Sequence, residues 1–396
     1  MRLTTLAAGV AVWAVAATLL WRTQVPGSLR LPSLDEDVLF GRELVEEAER
    51  YELVLDLLWV AATVAGLVVL VALARRGRRL VRGLGLGRVN AGIVAGVVAL
   101  TALWAVGAPF ALATTWWQRR HGVSYESYAA ALGGAWGGLL GTVLIGLAAL
   151  AVVLGLARRL PRTWWLASVP VLAGALLVLQ LLVPLLLTAG TKPLPRGELA
   201  SAIERLEDRE RAGDPSVRVQ RVSDRTRAAN AFSIGIGPTE HVVFWDTLLR
   251  DFDAGEIRFV AAHELAHLAR DQALKAVWWF ALLALPVLGA VALATSGRGG
   301  LREPANVPLA LLVVTLASLA VLPARTAISR RYETEADWIA LEATRDPAAA
   351  RGLFKGFVPT SLQDPSPPGW VHILRDDHPS ILQRVELARA WTARRR

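Results

Sequence analysis

Seven uninterrupted apolar runs constrain this chain more than any other feature. They fall at about 5–21, 53–74, 91–114, 130–156, 164–188, 276–296 and 307–321. At a rise of ~1.5 Å per residue, each spans or nearly spans the ~30 Å hydrocarbon core of a bilayer. Backbone in hydrocarbon must satisfy its own hydrogen bonds, so such runs fold as helices. They account for a chain that is 54% hydrophobic with a mean hydropathy of +0.41. The first run follows Arg2 and has no convincing small-residue cleavage site after it, so it reads as a retained anchor rather than a signal peptide. The lipid bilayer is the first expected partner. Net charge is +9, carried mostly by Arg at the ends of the apolar runs. That is the pattern of membrane-flanking anchors, and no nucleic-acid partner is expected. The absence of Cys removes disulfides and thiolate metal sites.

Two stretches depart from the apolar pattern. Residues 191–275 are mixed polar and charged, with a helical pattern near 198–212 and strand-like runs at 217–222, 230–236 and 241–245. Residues 326–396 are polar again and mostly helical, with a Pro-rich loop at 364–368.

The first polar stretch contains Ala262-His263-Glu264-Leu265-Ala266-His267-Leu268, an H-E-x-x-H pattern. Residues four apart leave one helix face a turn apart, so His263 and His267 are spaced as two ligands of one tetrahedral Zn2+. Glu264, on the same turn, can reach a metal-bound water without ligating the metal. With only six His in 396 residues, a chance match is rare. Asp253 and Glu256 make a capping-box pattern that starts this helix. The bland alternative is an amphipathic helix whose polar face happens to carry two His.

Two imidazoles do not complete a catalytic site, which needs a third protein ligand. Without Cys it must be His or a carboxylate. Ser329-Arg330-Arg331-Tyr332-Glu333-Thr334-Glu335-Ala336-Asp337 offers Glu333 and Asp337 four residues apart. Glu333 can bind the metal while Asp337 accepts a hydrogen bond from the far nitrogen of a ligating His. Two crossings separate His267 from Glu333, so both lie on one side of the membrane. One Zn2+ per chain is expected, with Glu264 as general base in hydrolysis of a peptide bond. The developing oxyanion needs a further donor. His378 and Arg384, in Asp377-His378-Pro379-Ser380-Ile381-Leu382-Gln383-Arg384, are the candidates; a plain loop or N-cap histidine is the alternative for His378. Asn230, Ala231 and Phe232 lie upstream of the metal helix. At a sheet edge they would pair with an extended peptide substrate. An ordinary interior strand is the alternative.

The expected fold class is therefore mainly α: a polytopic membrane protein of seven transmembrane helices with a small α+β, zincin-like catalytic unit. That unit is split between the segment after helix five and the C-terminal tail. The divisions are 1–190 with five transmembrane helices, 191–275 with the edge strand and the H-E-x-x-H helix, 276–325 with helices six and seven, and 326–396 with the third ligand.

These blocks together resemble the type-1 CAAX prenyl protease family and the related HtpX-type integral-membrane zinc metalloendopeptidases. They are Asn230-Ala231-Phe232 with Asp246-Thr247-Leu248-Leu249 downstream, then the His263 to His267 motif with Asp271. The pattern Ser329-Arg330…Glu333…Ala336-Asp337 and the pattern His378-Pro379…Arg384 complete them. The resemblance covers about 228–390, and the order of spans and segments also resembles the type-1 enzymes. It implies His263, His267 and Glu333 on zinc, Glu264 as catalytic carboxylate, and Asp337 behind a ligand. It implies that His378 and Arg384 assist substrate or oxyanion, and that Asn230, Ala231 and Phe232 align the substrate. It also implies helices arranged around a large intramembrane chamber, against which the scarcity of polar residues in the spans speaks. Eukaryotic members place the catalytic segment in the cytosol. Here Arg-rich links after the second and fourth spans point the other way, and the side stays open. The Ala/Leu/Arg-rich composition points to a bacterial plasma membrane.

The leading expectation is a membrane-embedded zinc endopeptidase acting on a peptide or membrane-protein substrate. A catalytically silent membrane scaffold or sensor is the competing class, and it has to explain an intact set of His263, Glu264, His267 and Glu333. A transporter is disfavoured, because no span carries a midplane carboxylate.

Overall fold

The computed structural model describes residues 3–395, so Arg2 lies outside the described residues. Each apolar run is a helix. The N-terminal half holds α1 (Leu3–Leu20), the short α2 (Glu36–Phe40), α3 (Arg42–Val81), α4 (Arg88–Arg120), α5 (Tyr128–Arg159) and α6 (Trp164–Leu187). The first polar segment holds β1 (Lys192–Pro193), α7 (Glu198–Glu210), β2 (Ser216–Gln220), β3 (Ala231–Ile234), β4 (His241–Trp245), α8 (Asp246–Asp251) and α9 (Ala254–Ala269). After it come α10 (Gln272–Ser296), α11 (Val307–Thr344), α12 (Pro347–Ser361), α13 (Gly369–Leu374) and α14 (Ile381–Arg394).

Among the described residues, five helices are long and apolar enough to cross a membrane: α3, α4, α6, α10, and α11 with the turn before it. Their apolar windows are between 6% and 28% buried within the protein, as expected where lipid rather than protein covers the side chains. Leu186 and Leu293 are more than three-quarters exposed, at 76% and 78%. In water such surfaces would drive aggregation. The chain is a mainly helical, multi-pass membrane protein with one small sheet.

Two helices run further than the apolar pattern suggests. The second apolar run, read at 53–74, is only the middle of α3, which is continuous from Arg42. No Gly or Pro stands between Arg42 and Ala65 to stop it. Likewise α11 leaves the last apolar run, passes Pro323 and continues to Thr344, carrying Glu333 and Asp337 at its polar end. It stops at Arg345, which adopts the left-handed conformation with φ 53°. Gly77 lets α3 approach the turn before α11: a Cβ there would overlap the carbonyl oxygen of Ala305.

The two polar segments share one core. Phe244 of β4, Leu248 of α8, Phe259 and Leu265 of α9, Leu341 of α11, Phe354 of α12, and Ile381 and Val385 of α14 belong to a single buried cluster. Each such side chain contributes about 1.5–3 kcal/mol by leaving water. A second cluster, around Leu154, Trp164, Leu288, Val291 and Val307, ties the bundle together. The sheet has the order β1-β2-β4-β3. β4 runs parallel to β2 and antiparallel to β3, with Ala231 opposite Phe244 and Phe232 opposite Val243. Flanked on both sides, β4 buries Val242, Val243 and Phe244 completely. β3 lies at the end of the sheet, beside α9.

Candidate metal centre

The H-E-x-x-H helix is α9. Its first turn is held by the backbone N–H of Asp253, which donates to the Glu256 carboxylate at 2.9 Å. It ends at Asp271, whose φ of 50° is left-handed. Asp tolerates that conformation better than most residues. The chain turns there within one residue, and α10 starts at Gln272.

His263, His267 and Glu333 converge from α9 and α11, with one ligand atom of each within 4.8 Å of the others. The two Nε2 atoms are 3.1 Å apart. The Glu333 carboxylate lies 3.2 Å from His263 Nε2 and 3.6 Å from His267 Nε2. Each imidazole is held from behind. His263 Nδ1 faces Asp337 Oδ1 at 2.9 Å, and His267 Nδ1 faces Gln272 Oε1 at 2.5 Å. Both partners are oxygen acceptors, so in the neutral imidazole each Nδ1 carries the proton and each Nε2 is left with the lone pair a metal needs. Two lone pairs and a carboxylate then point into one small space, where Glu333 Oε2 is buried without a hydrogen-bond donor. Such a cluster is repulsive unless a cation sits among its members. Two nitrogens on one tetrahedral ion, bound at ~2.0–2.1 Å, stand about 3.3 Å apart. The donor set therefore fits a divalent metal. The site also favours a cation electrostatically: burial pushes the His263 imidazole down, but the neighbouring Asp337 and Glu333 carboxylates outweigh it and lift its pKa to about 10. This is a pocket that favours positive charge.

Asp337 is fully buried and serves two partners. Besides His263 it accepts Arg384 Nε at 2.8 Å and Arg384 Nη2 at 2.6 Å, a bidentate pair. The guanidinium also lies over the Phe354 ring, 4.3 Å from its centre. The sequence puts Arg384 beside a substrate oxyanion. In the structure its Nε and Nη2 are engaged by Asp337, because the buried carboxylate is the strongest acceptor it meets. His378, on the loop before α14, does reach the cluster: its Nε2 is 3.2 Å from Glu333 Oε2, and its Nδ1 is 2.8 Å from Asp377. Its side chain is still 49% exposed. Glu264 is buried on the same turn of α9 as the two His. Asn230 precedes β3 and accepts from the Ala231 N–H at 2.9 Å, while Ala231 and Phe232 pair only with β4.

Sequence reasoning missed Gln272, Tyr332 and Glu335. Gln272 orients His267. The Tyr332 hydroxyl donates to the Leu20 carbonyl at 2.7 Å and accepts from Trp279 Nε1 at 2.8 Å. Glu335, fully buried, accepts from the Gln24 N–H at 2.9 Å and from Arg270 at 3.2 Å. The two residues flank Glu333 and fasten α11 to the end of α1, to α10 and to the end of α9. The signal available in the sequence was their adjacency to Glu333 or to the H-E-x-x-H helix.

The sequence matches peptidase family M48 over residues 193–392, half of the chain, including every residue of this cluster. The chain belongs to family M48. An M48 peptidase uses a metal cofactor, and the His-His-Glu group is a place where these residues can hold one. Among the proteins it is similar to is an uncharacterized metalloprotease, YhfN, of Bacillus subtilis (strain 168). It is 31% identical over 246 residues, which are 59% of this chain and 58% of that protein. A protease HtpX homolog of Methylibium petroleiphilum is 39% identical over 124 residues, 31% of this chain and 44% of its own. The match thus spans less than two-thirds of either relative. The fold is similar to that of Ste24p from S. mikatae. The TM-score is 0.70 at 17% identity, over 96% of both chains.

Proposed function

We propose that this chain is a membrane-embedded zinc-dependent endopeptidase. The observation that carries the reading is the convergence of the His263 and His267 imidazoles and the buried Glu333 carboxylate, with one ligand atom of each within 4.8 Å of the others. Zn2+ suits an N, N, O set, and when bound it supplies a Lewis acid and a water of lowered pKa, near ~7.

His263, His267 and Glu333 would hold the ion, one per chain. Asp337 and Gln272 hold the two imidazoles in the Nδ1–H tautomer and keep both Nε2 atoms basic. Glu264 takes the proton of the attacking water and later delivers it to the leaving amine. His378, half exposed beside Glu333, donates to the carbonyl oxygen as charge builds there. Arg384 is a positioning residue that acts through Asp337. The free edge of β3, with Asn230, Ala231 and Phe232, lays the peptide antiparallel alongside the metal helix. In this reading residues 191–275 and 326–396 are the halves of one zincin-like catalytic unit. Residues 1–190 and 276–325 hold seven crossings, α1 and α5 included, in a bacterial plasma membrane. The substrates are peptides or membrane proteins.

The test pairs metal content with cleavage of β-casein by the detergent-purified chain and its Glu264→Gln form. Elemental analysis is expected to find about one zinc per chain in both. Cleavage is expected to fall roughly 10²- to 10⁴-fold in the variant, the usual weight of a general base. Equal cleavage by the two forms, or no stoichiometric zinc, rejects the reading.

A further inference from the structure

A cavity of about 460 Å³ opens beside the metal centre, between the start of α3 and the loops around α13. That volume lies within the usual range for a ligand pocket. Six carboxylates line it: Glu49, Glu52, Asp56, Asp364, Asp376 and Asp377. Glu49, Glu52 and Asp56 are spaced three and four residues apart, so α3 presents them on one face. The loops supply the other three.

The positive charges in the wall do not balance them. Arg375 is paired with Asp56 and lies over the Trp59 ring. His378 Nδ1 takes Asp377, and His372, outside the lining, takes Asp376 at 3.3 Å. Among the described residues Glu49, Glu52 and Asp364 form no ion pair. Asp364 accepts only the Ser366 N–H in the loop, at 2.8 Å. Its carboxyl is pushed up, first by burial and then by Glu49 and Asp376. Carboxylates crowded around an open volume are relieved by an incoming cation.

The cavity also has a direction. His378 lines it and at the same time touches Glu333. A chain passing His378 toward the metal therefore has a neighbouring residue in the cavity. Resting on the endopeptidase reading, we infer that this cavity is a specificity subsite for a Lys or Arg side chain of the substrate, placed close to the scissile bond. Glu49, Glu52 and Asp364 supply the unspent negative charge. Asp56 and Asp376, already paired, shape the wall.

Two measurements test this. In the first, full-length protein in detergent digests β-casein and mass spectrometry maps the cuts. Lys and Arg are expected to be enriched near the cuts on the order of tenfold, the scale of one partly screened ion pair. The enrichment is expected to collapse in the Glu52→Gln/Asp364→Asn double variant and to fall in Glu49→Gln, whose site is exposed and safe for folding. Cuts without basic enrichment, or enrichment that survives all three changes, overturn the subsite. In the second, anisotropy follows binding of two labelled ten-residue peptides to the Glu264→Gln form. The peptides differ in a single Lys, free or acetylated. The free-Lys peptide is expected to bind roughly tenfold tighter, with an advantage that shrinks as salt rises. Equal binding overturns the subsite. A persisting Lys preference in binding, with no β-casein cleavage by the unmutated protein, rejects the endopeptidase reading and leaves the basic-side-chain pocket standing.

Discussion

Asp337 is the residue on which the geometry of the centre turns. One carboxylate fixes the His263 tautomer and takes two hydrogen bonds from Arg384. Asp337→Asn keeps the shape and removes the charge. Zinc affinity is expected to fall about 10- to 100-fold, the usual weight of such an outer partner, as read by competition with a chelator. Arg384→Ala acts differently. It strands a fully buried carboxylate without its cation, which costs about 3–5 kcal/mol. Chemical unfolding of the detergent-solubilised protein should show that loss as an earlier midpoint. If zinc binding falls while unfolding is unchanged, Arg384 belongs to the metal centre and not to the scaffold. The pattern of carboxylates on α11 was legible in the sequence, because four-residue spacing is a local signal. The identity of the partner that spends Arg384 was not, because 47 residues separate it from Asp337 and no periodicity reaches that far.

At the scale of the element, the junction between α9 and α10 sets the second imidazole. Asp271 alone turns the chain, and Gln272 on its far side receives His267. Asp271→Gly accepts the same φ and is expected to leave zinc affinity within about twofold. Asp271→Val pays a left-handed penalty of ~1–2 kcal/mol and drags Gln272 out of line, so zinc should bind more weakly. Calorimetric titration of zinc into the apo forms separates the two outcomes. The helices themselves were legible wherever apolar runs or H-E-x-x-H spacing marked them. Their ends were less so: the polar start of α3 carries no Gly or Pro to stop it, and α11 continues through Pro323 into its polar half. Gln272 escaped notice because an amide beside a motif looks like any surface amide until the backbone turn is known.

At the scale of the whole molecule, side chains from both polar segments close one core across the α10–α11 hairpin. The arrangement needs both segments on one face of the membrane, which the number of crossings decides. The seven crossings proposed above put the link after α3 and the segment after α6 on opposite faces. The chain has no Cys of its own, so single replacements report cleanly. Gly83→Cys and Ser201→Cys, both at exposed positions, are expected to react with an impermeant maleimide from opposite sides of sealed vesicles. Labelling from the same side would mean that one of the three helices between them, α4, α5 or α6, does not cross.

The unbroken course of α11 has a consequence for how this protein can be switched off. The helix that enters lipid at one end carries the Glu333 carboxylate towards the other, in one continuous run through Pro323. A soluble fragment that kept the whole centre would have to keep the helix, and with it the greasy half. A single nick in the stretch between Pro323 and Glu333 would part the Glu333 carboxylate from its membrane mooring, so shedding and inactivation would be the same event.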